Sequence, residues 1–126
     1  MSTIKEDIMS YLKSEGLMPQ ETDFGIYFKY QMMNFLIFWE EEDRLFLRIC
    51  LPNIFNVDED NRIDVLEAAN AVTFLMKVAK CIVRDDTVWV VTEQLLDSTP
   101  VFSDIIPRSL DILTEGREEF YKKRME

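Results

Sequence analysis

Three short apolar segments lie between residues 24 and 51, each patterned like a strand and separated from the next by only a few polar residues. In the first, Phe24, Ile26, Phe28 and Tyr30 alternate with Gly25, Tyr27, Lys29 and Gln31, a period of two that sends one set of side chains to each face of a strand. Met33-Asn34 supplies a turn, and Phe35-Leu36-Ile37-Phe38-Trp39 is then apolar at every position. The acidic cluster Glu40-Glu41-Glu42-Asp43 turns the chain into the third segment, where Leu45, Leu47, Ile49 and Leu51 alternate with Phe46, Arg48 and Cys50. Connections this short can join only antiparallel strands, so the segments form a meander. An uninterrupted apolar second strand belongs at the centre of a sheet, with both of its faces covered.

Helical patterning surrounds this meander. Thr3 and Glu6 make a capping box, in which each side chain satisfies a free backbone amide, and Ile4, Ile8, Tyr11 and Leu12 recur at helical spacing over residues 3–15. Gly16 supplies the left-handed stop, and Leu17–Asp23, with Pro19, reads as loop. After Pro52, residues 53–60 read as a loop in which Asp58 or Asp60 caps a long helix over residues 61–80. Lys80–Arg84 and Thr87–Leu95 form a second hairpin across Asp85-Asp86, and Ser98-Thr99-Pro100 breaks the chain. In a last helix capped by Ser103, Pro107 falls in the first turn, Ile106, Leu110, Leu113, Phe120 and Arg124 share the inner face, and Gly116 weakens the middle. The basic Lys122-Lys123-Arg124 complements the negative end of that helix. The order helix, three strands, helix, two strands, helix is that of an α+β protein. The 126 residues fit one domain spanning the chain, without internal repeats.

Several function classes are disfavoured by composition. The chain contains no histidine, which removes Ser–His and Cys–His nucleophile pairs and histidine metal sites together. Three glycines, Gly16, Gly25 and Gly116, cannot build a phosphate-binding loop or a dinucleotide fingerprint. Asp58-Glu59-Asp60-Asn61 resembles the start of a calcium loop, but Ile63 stands where the turn glycine is needed and Ala69 where the bidentate glutamate is needed. The expectation is therefore no enzyme, no metal and no cofactor. A net charge of −10 opposes binding to nucleic acid or to an anionic membrane. The N-terminal segment is charged throughout and no apolar run approaches the roughly 20 residues needed to cross a bilayer, so a cytoplasmic protein with two buried thiols, Cys50 and Cys81, is expected.

On the helix expected over residues 61–80, Val65, Ala68, Ala69, Val72, Leu75, Met76 and Ala79 form the core-facing side. Ile63, Phe74 and Val78 fall on the opposite side, with Glu67 and Asn70 between them. Either a neighbouring helix of the same chain covers this second stripe, or it is a homodimer seam or docking surface. A similar pair of readings applies to the sheet. Phe46 and Trp89 alternate with the core positions of their strands, so the terminal helices cover them or they line a groove for an extended peptide, with Arg48 beside them.

The segment Leu66-Glu67-Ala68-Ala69-Asn70, followed by Lys80-Cys81-Ile82-Val83-Arg84-Asp85-Asp86-Thr87-Val88-Trp89-Val90, resembles the bacterial YbjN-like family of proposed sensory transduction regulators, which has the type III secretion chaperone-like fold. The likeness runs over residues 62–96 in sequence and over about residues 3–123 as an order of elements. Asn70 matches the family's helix asparagine, while Thr73 stands where a second asparagine is frequent. The resemblance implies a small acidic helix–sheet–helix domain, frequently dimeric, with dimers packed on the long helix and partner segments held on apolar patches.

The chain therefore reads as a non-enzymatic protein-binding, regulatory or chaperone-like domain, a homodimer acting through apolar helix and sheet surface. The alternative is a small-molecule or carboxylate-based enzymatic domain using Arg48 or Arg84 in a sheet-side cleft.

Overall fold

A computed structural model of the chain describes residues 3–39 and 46–125. Its elements are α1 (Ile4–Ser14), β1 (Gln20–Glu21), β2 (Ile26–Tyr30), β3 (Met33–Trp39), β4 (Phe46–Asn56), α2 (Arg62–Leu75), β5 (Ala79–Arg84), β6 (Thr87–Leu95) and α3 (Phe102–Met125). The strands form one six-stranded sheet in the order β1-β2-β3-β4-β6-β5, and every neighbouring pair is antiparallel. The fold is α+β, as the periodicities require. The acidic turn Glu40–Asp43 and Leu45 lie outside the described residues.

Alternation along the strands decides where the core sits. Ile26, Phe28, Phe35, Ile37, Leu47, Ile49, Val88 and Val90 share one face of the sheet, where they meet Ile8 and Leu12 of α1, Val65 and Val72 of α2, and Ile106, Leu113 and Phe120 of α3. All three helices therefore lie on the same side. Strand β3 is central, as expected, but only one of its faces is covered by helices. On the other face, Leu36 and Phe38 are half-buried together with Tyr27, Ile82 and Trp89, and no helix among the described residues lies over them. These large side chains shelter one another and the short Cys50 and Val91, both of which are buried.

The helix ends follow from local chemistry. Thr3 Oγ1 accepts the Glu6 amide at 3.1 Å, which fixes the start of α1. Gly16 closes the helix at φ 78°, its amide bonding to the Lys13 carbonyl while the Leu17 amide reaches back to Leu12, the paired reverse bonds of a left-handed helix stop. Helix α2 ends at Leu75, five residues before the expected end, so Met76 and Val78 lie in the connection and Ala79 opens β5. Val78 makes that turn with φ 71°, a left-handed conformation costly for a β-branched residue. The N-cap of α2 is Asn61 rather than Asp58 or Asp60; Asp58 and Asn61 instead exchange two side chain–backbone bonds of 2.9 Å that close the preceding turn. Ser103 is not a cap, because α3 already begins at Phe102, and Pro107 lies past the first turn. Gly116 does more than weaken α3: a Cβ there would come within 2.8 Å of Val90 Cγ1, so the glycine lets the helix lie close against β6.

Two strand readings change as well. The β2–β3 turn falls at Gln31-Met32, both left-handed at φ 50° and 64°, and not at Met33-Asn34, which starts β3. Strand β4 continues past Pro52 to Asn56 by bulging. Leu51 pairs with Val90 and Phe55 with Val88, so Pro52, Asn53 and Ile54 stand opposite Trp89 alone. Proline, which has no amide to donate, is tolerated at such a break in the ladder.

Strand β5 is a sheet edge, and Thr73 of α2 closes part of it. The Cys81 amide donates to Thr73 Oγ1 at 2.8 Å, and the same hydroxyl donates to the Cys81 carbonyl at 3.1 Å. One side chain thus satisfies both backbone groups that a further strand would pair with. Replacing the hydroxyl by a methyl in Thr73→Val leaves both groups unpaired, and urea unfolding should show a loss of about 1–3 kcal/mol, with Thr73→Ser retaining most of the stability.

Candidate interaction surfaces

The outward side of α2 carries exposed apolar side chains toward both ends. Ile63 is 74% exposed, Leu66 46% and Phe74 92%. Glu67 and Asn70, exposed between them, complete one stripe at helical spacing. Of the five residues expected on this face, four therefore lie on the helix. Val78 does not share the helical stripe because α2 stops before it, although it is 60% exposed in the turn that follows. Neither α1 nor α3 covers the stripe; α3 packs on the inner side of α2 through the shared core. Leu66 was absent from the expected set, although its place three residues after Ile63 is a helical neighbour's spacing.

A second surface is the sheet face opposite the helices. Arg48 and Trp89 lie on it, and neither terminal helix covers them. Phe46, at the start of β4, packs beneath the Arg48 guanidinium at 5.4 Å and stands apart from the cavities that Trp89 lines. The Trp89 ring carries Arg84 at 4.9 Å above it. Tyr27, Leu36 and Phe38 add to this face; alternation marks Tyr27 in the sequence, whereas Leu36 and Phe38 sit in a strand that is apolar at every position. Phe24 rises beside them, 80% exposed, on a turn held by Thr22: its hydroxyl oxygen accepts the Phe24 and Gly25 amides at 3.1 Å each and donates to the Gly25 carbonyl at 3.0 Å.

Charge on this face is concentrated around Glu93. Arg48 donates to Glu93 Oε2 through Nη2 at 2.5 Å and Nε at 3.0 Å, while Lys80 Nζ pairs with Oε1. Hydrogen bonds from Lys80 and then Arg48 hold the Glu93 carboxyl below the usual glutamate range. Both cysteines are free and buried; burial pushes each thiol up to about 12, which removes them as nucleophiles near neutral pH. Cys50 belongs to the bare face and Cys81 to the core, on opposite sides of the sheet. Among the described residues no group of three or more acidic or thiol side chains is placed to hold a metal ion, and no helix is long and apolar enough to cross a membrane.

A carboxyl whose folded value is depressed stabilises the fold above the ordinary glutamate range and loses that contribution as pH falls through its folded value. Glu93→Gln should therefore lower the urea midpoint at about pH 7, and the gap between variant and wild type should close as the pH is taken down toward about 3.

No family model matches the chain, and no curated protein matches it in sequence. Among solved structures, the crystal structure of YbjN from E. coli, described as a candidate transcription regulator, superposes with a TM-score of 0.64 over 92% of this chain and 92% of that one, at 11% sequence identity. At that identity the likeness is one of fold: the chain shares its helix–sheet arrangement with YbjN.

Proposed function

We propose that this chain is a non-enzymatic, regulatory protein-binding domain that pairs with a second copy of itself through the outward side of α2. The observation that carries this reading is the bare apolar stripe. A phenylalanine 92% exposed in the last turn of a helix, aligned with Ile63 and Leu66, contributes nothing to the fold of one chain and is stabilised only when a partner covers it. In a two-fold pairing the stripe meets its own copy, and Glu67 and Asn70 supply the polar contacts between apolar anchors. Val78 adds support, since its left-handed backbone holds an apolar side chain outward beside the stripe where glycine would relieve the strain.

The regulatory part of the reading rests on the shared fold with YbjN and on the lack of activated groups: no histidine is present, and both thiols are held protonated. Regulation here works through protein contact. A net charge of −10 repels phosphate, and within the basic C-terminal turn Arg124 folds back over the Phe55 ring at 5.1 Å.

Light scattering coupled to size exclusion should give a dimer mass for the wild type and a monomer mass for Phe74→Asp, with unchanged circular dichroism. A monomeric wild type, or a Phe74→Asp dimer, would sink the assignment. Val78→Gly should separate the two roles of its position, raising the stability of the single chain by about 1 kcal/mol while weakening the pairing.

A further inference from the structure

The bare sheet face holds a cavity of about 710 Å³, floored by Tyr27, Leu36, Phe38 and Trp89, with Phe24 on one side and Arg84 and the Asp85-Asp86 turn on the other. A second cavity of about 400 Å³ adjoins it, shares Phe24, Phe38, Arg84 and Trp89, and extends to Arg48 and Lys80. The β4 bulge contributes to this shape. Because the ladder is broken opposite Trp89, Asn53 turns out with φ 57° and lines the larger cavity. The two join as one trough, and each lies within the size range of small-molecule sites.

Two features select what the trough takes. Its apolar lining is mainly aromatic, which favours a flat ring that can lie on Phe38 and Trp89. The charged lining of the smaller cavity is Arg48, Lys80 and Arg84, a cationic cluster in a chain of net charge −10. Glu93 engages Arg48 and Lys80, whereas Arg84 makes no ion pair among the described residues and lies on the Trp89 ring. The Trp89 indole N–H is closed off from solvent without a hydrogen-bond partner among the described residues, so its signal reports on the surroundings of the ring rather than on a direct contact.

We propose that the trough is a binding site for a small aromatic carboxylate. The ring system lies on Phe38 and Trp89, with Phe24 as a side wall. The carboxylate engages Arg84 on the side of the smaller cavity, away from the exposed Asp85 and Asp86. An extended protein segment would need a free strand edge, and the nearer edge is partly closed by Thr73.

The test uses the full chain, 2-naphthoate as probe and its uncharged counterpart naphthalene-2-methanol as control. The two tryptophans give two indole N–H signals, assigned through Trp89→Phe. Titration with 2-naphthoate should shift the Trp89 signal saturably, at one site per chain. The alcohol should bind at least about tenfold more weakly, as should 2-naphthoate to Arg84→Gln or to the exposed-wall variant Phe24→Ser, with amide spectra otherwise unchanged. Phe74→Asp should leave the titration as in wild type, so this site and the α2 pairing stand or fall separately. Absence of saturable shifts, equal affinity for the alcohol, shifts centred on α2, or full affinity in folded Arg84→Gln would each overturn the proposal.

Discussion

Each strand of this sheet presents two faces, and all three helices of the described residues pack against one of them. That asymmetry governs the rest of the structure. On the covered face the hydrophobic effect is satisfied conventionally, by aliphatic and phenylalanine side chains packed beneath α1, α2 and α3. The packing is close enough that Gly116 leaves no room for a methyl group against Val90. On the uncovered face, apolar side chains can only shelter one another. Large rings at Tyr27, Phe38 and Trp89 therefore stand over small neighbours such as Cys50, and a trough forms where they do not close up. The bare stripe of α2 arises similarly. A helix lying on a sheet buries one side, and no third layer exists to meet the other.

Much of this was legible in the residues. Apolar patterning and short turns located five of the six strands, and Thr3, Gly16 and the Asp85-Asp86 turn marked ends and reversals that the structure shares. The errors have physical causes. A fully apolar strand such as β3 looks the same whether its second face meets a helix or lines a trough, because periodicity records hydrophobicity and not what supplies the cover. The helical pattern ran on through Met76 and Ala79 because Ala79, a buried strand residue, happens to continue the spacing of Val72 and Met76. Pro52 read as a strand stop because a bulge that accommodates proline depends on the partner strand, which lies far along the chain. The two-residue β1 carries no pattern at all and exists only through its pairing with β2. Of the surfaces, the α2 stripe was visible on a helical wheel, whereas the trough depends on which face the helices choose.

The charge distribution qualifies what a strongly acidic composition means. A net charge of −10 describes the field far from the molecule, and it disfavours polyanions as partners. Close to the sheet the sign is reversed. Arg48 on β4 and Lys80 and Arg84 on β5 flank β6, whose Glu93 is held ionised between Arg48 and Lys80. A small anion that approaches within the screening length meets this local field rather than the overall one.

The hydroxyl of Thr73 has a consequence for the order of events during folding. It can occupy the outer side of Cys81 only after α2 has docked on the sheet, since the donor and the strand belong to different elements. The central β4–β6 pairing joins residues some 45 positions apart, a closure that forms slowly compared with either helix or hairpin. Until α2 docks, a β5–β6 hairpin has its outer strand open at Cys81. In that interval, intermolecular pairing at β5 competes with docking of α2, and the competition is bimolecular. Refolding at low protein concentration favours the helix; crowding of nascent chains favours the neighbour. The finished molecule keeps part of this edge closed with a single oxygen atom at Cys81, and the edge is most open before that atom arrives.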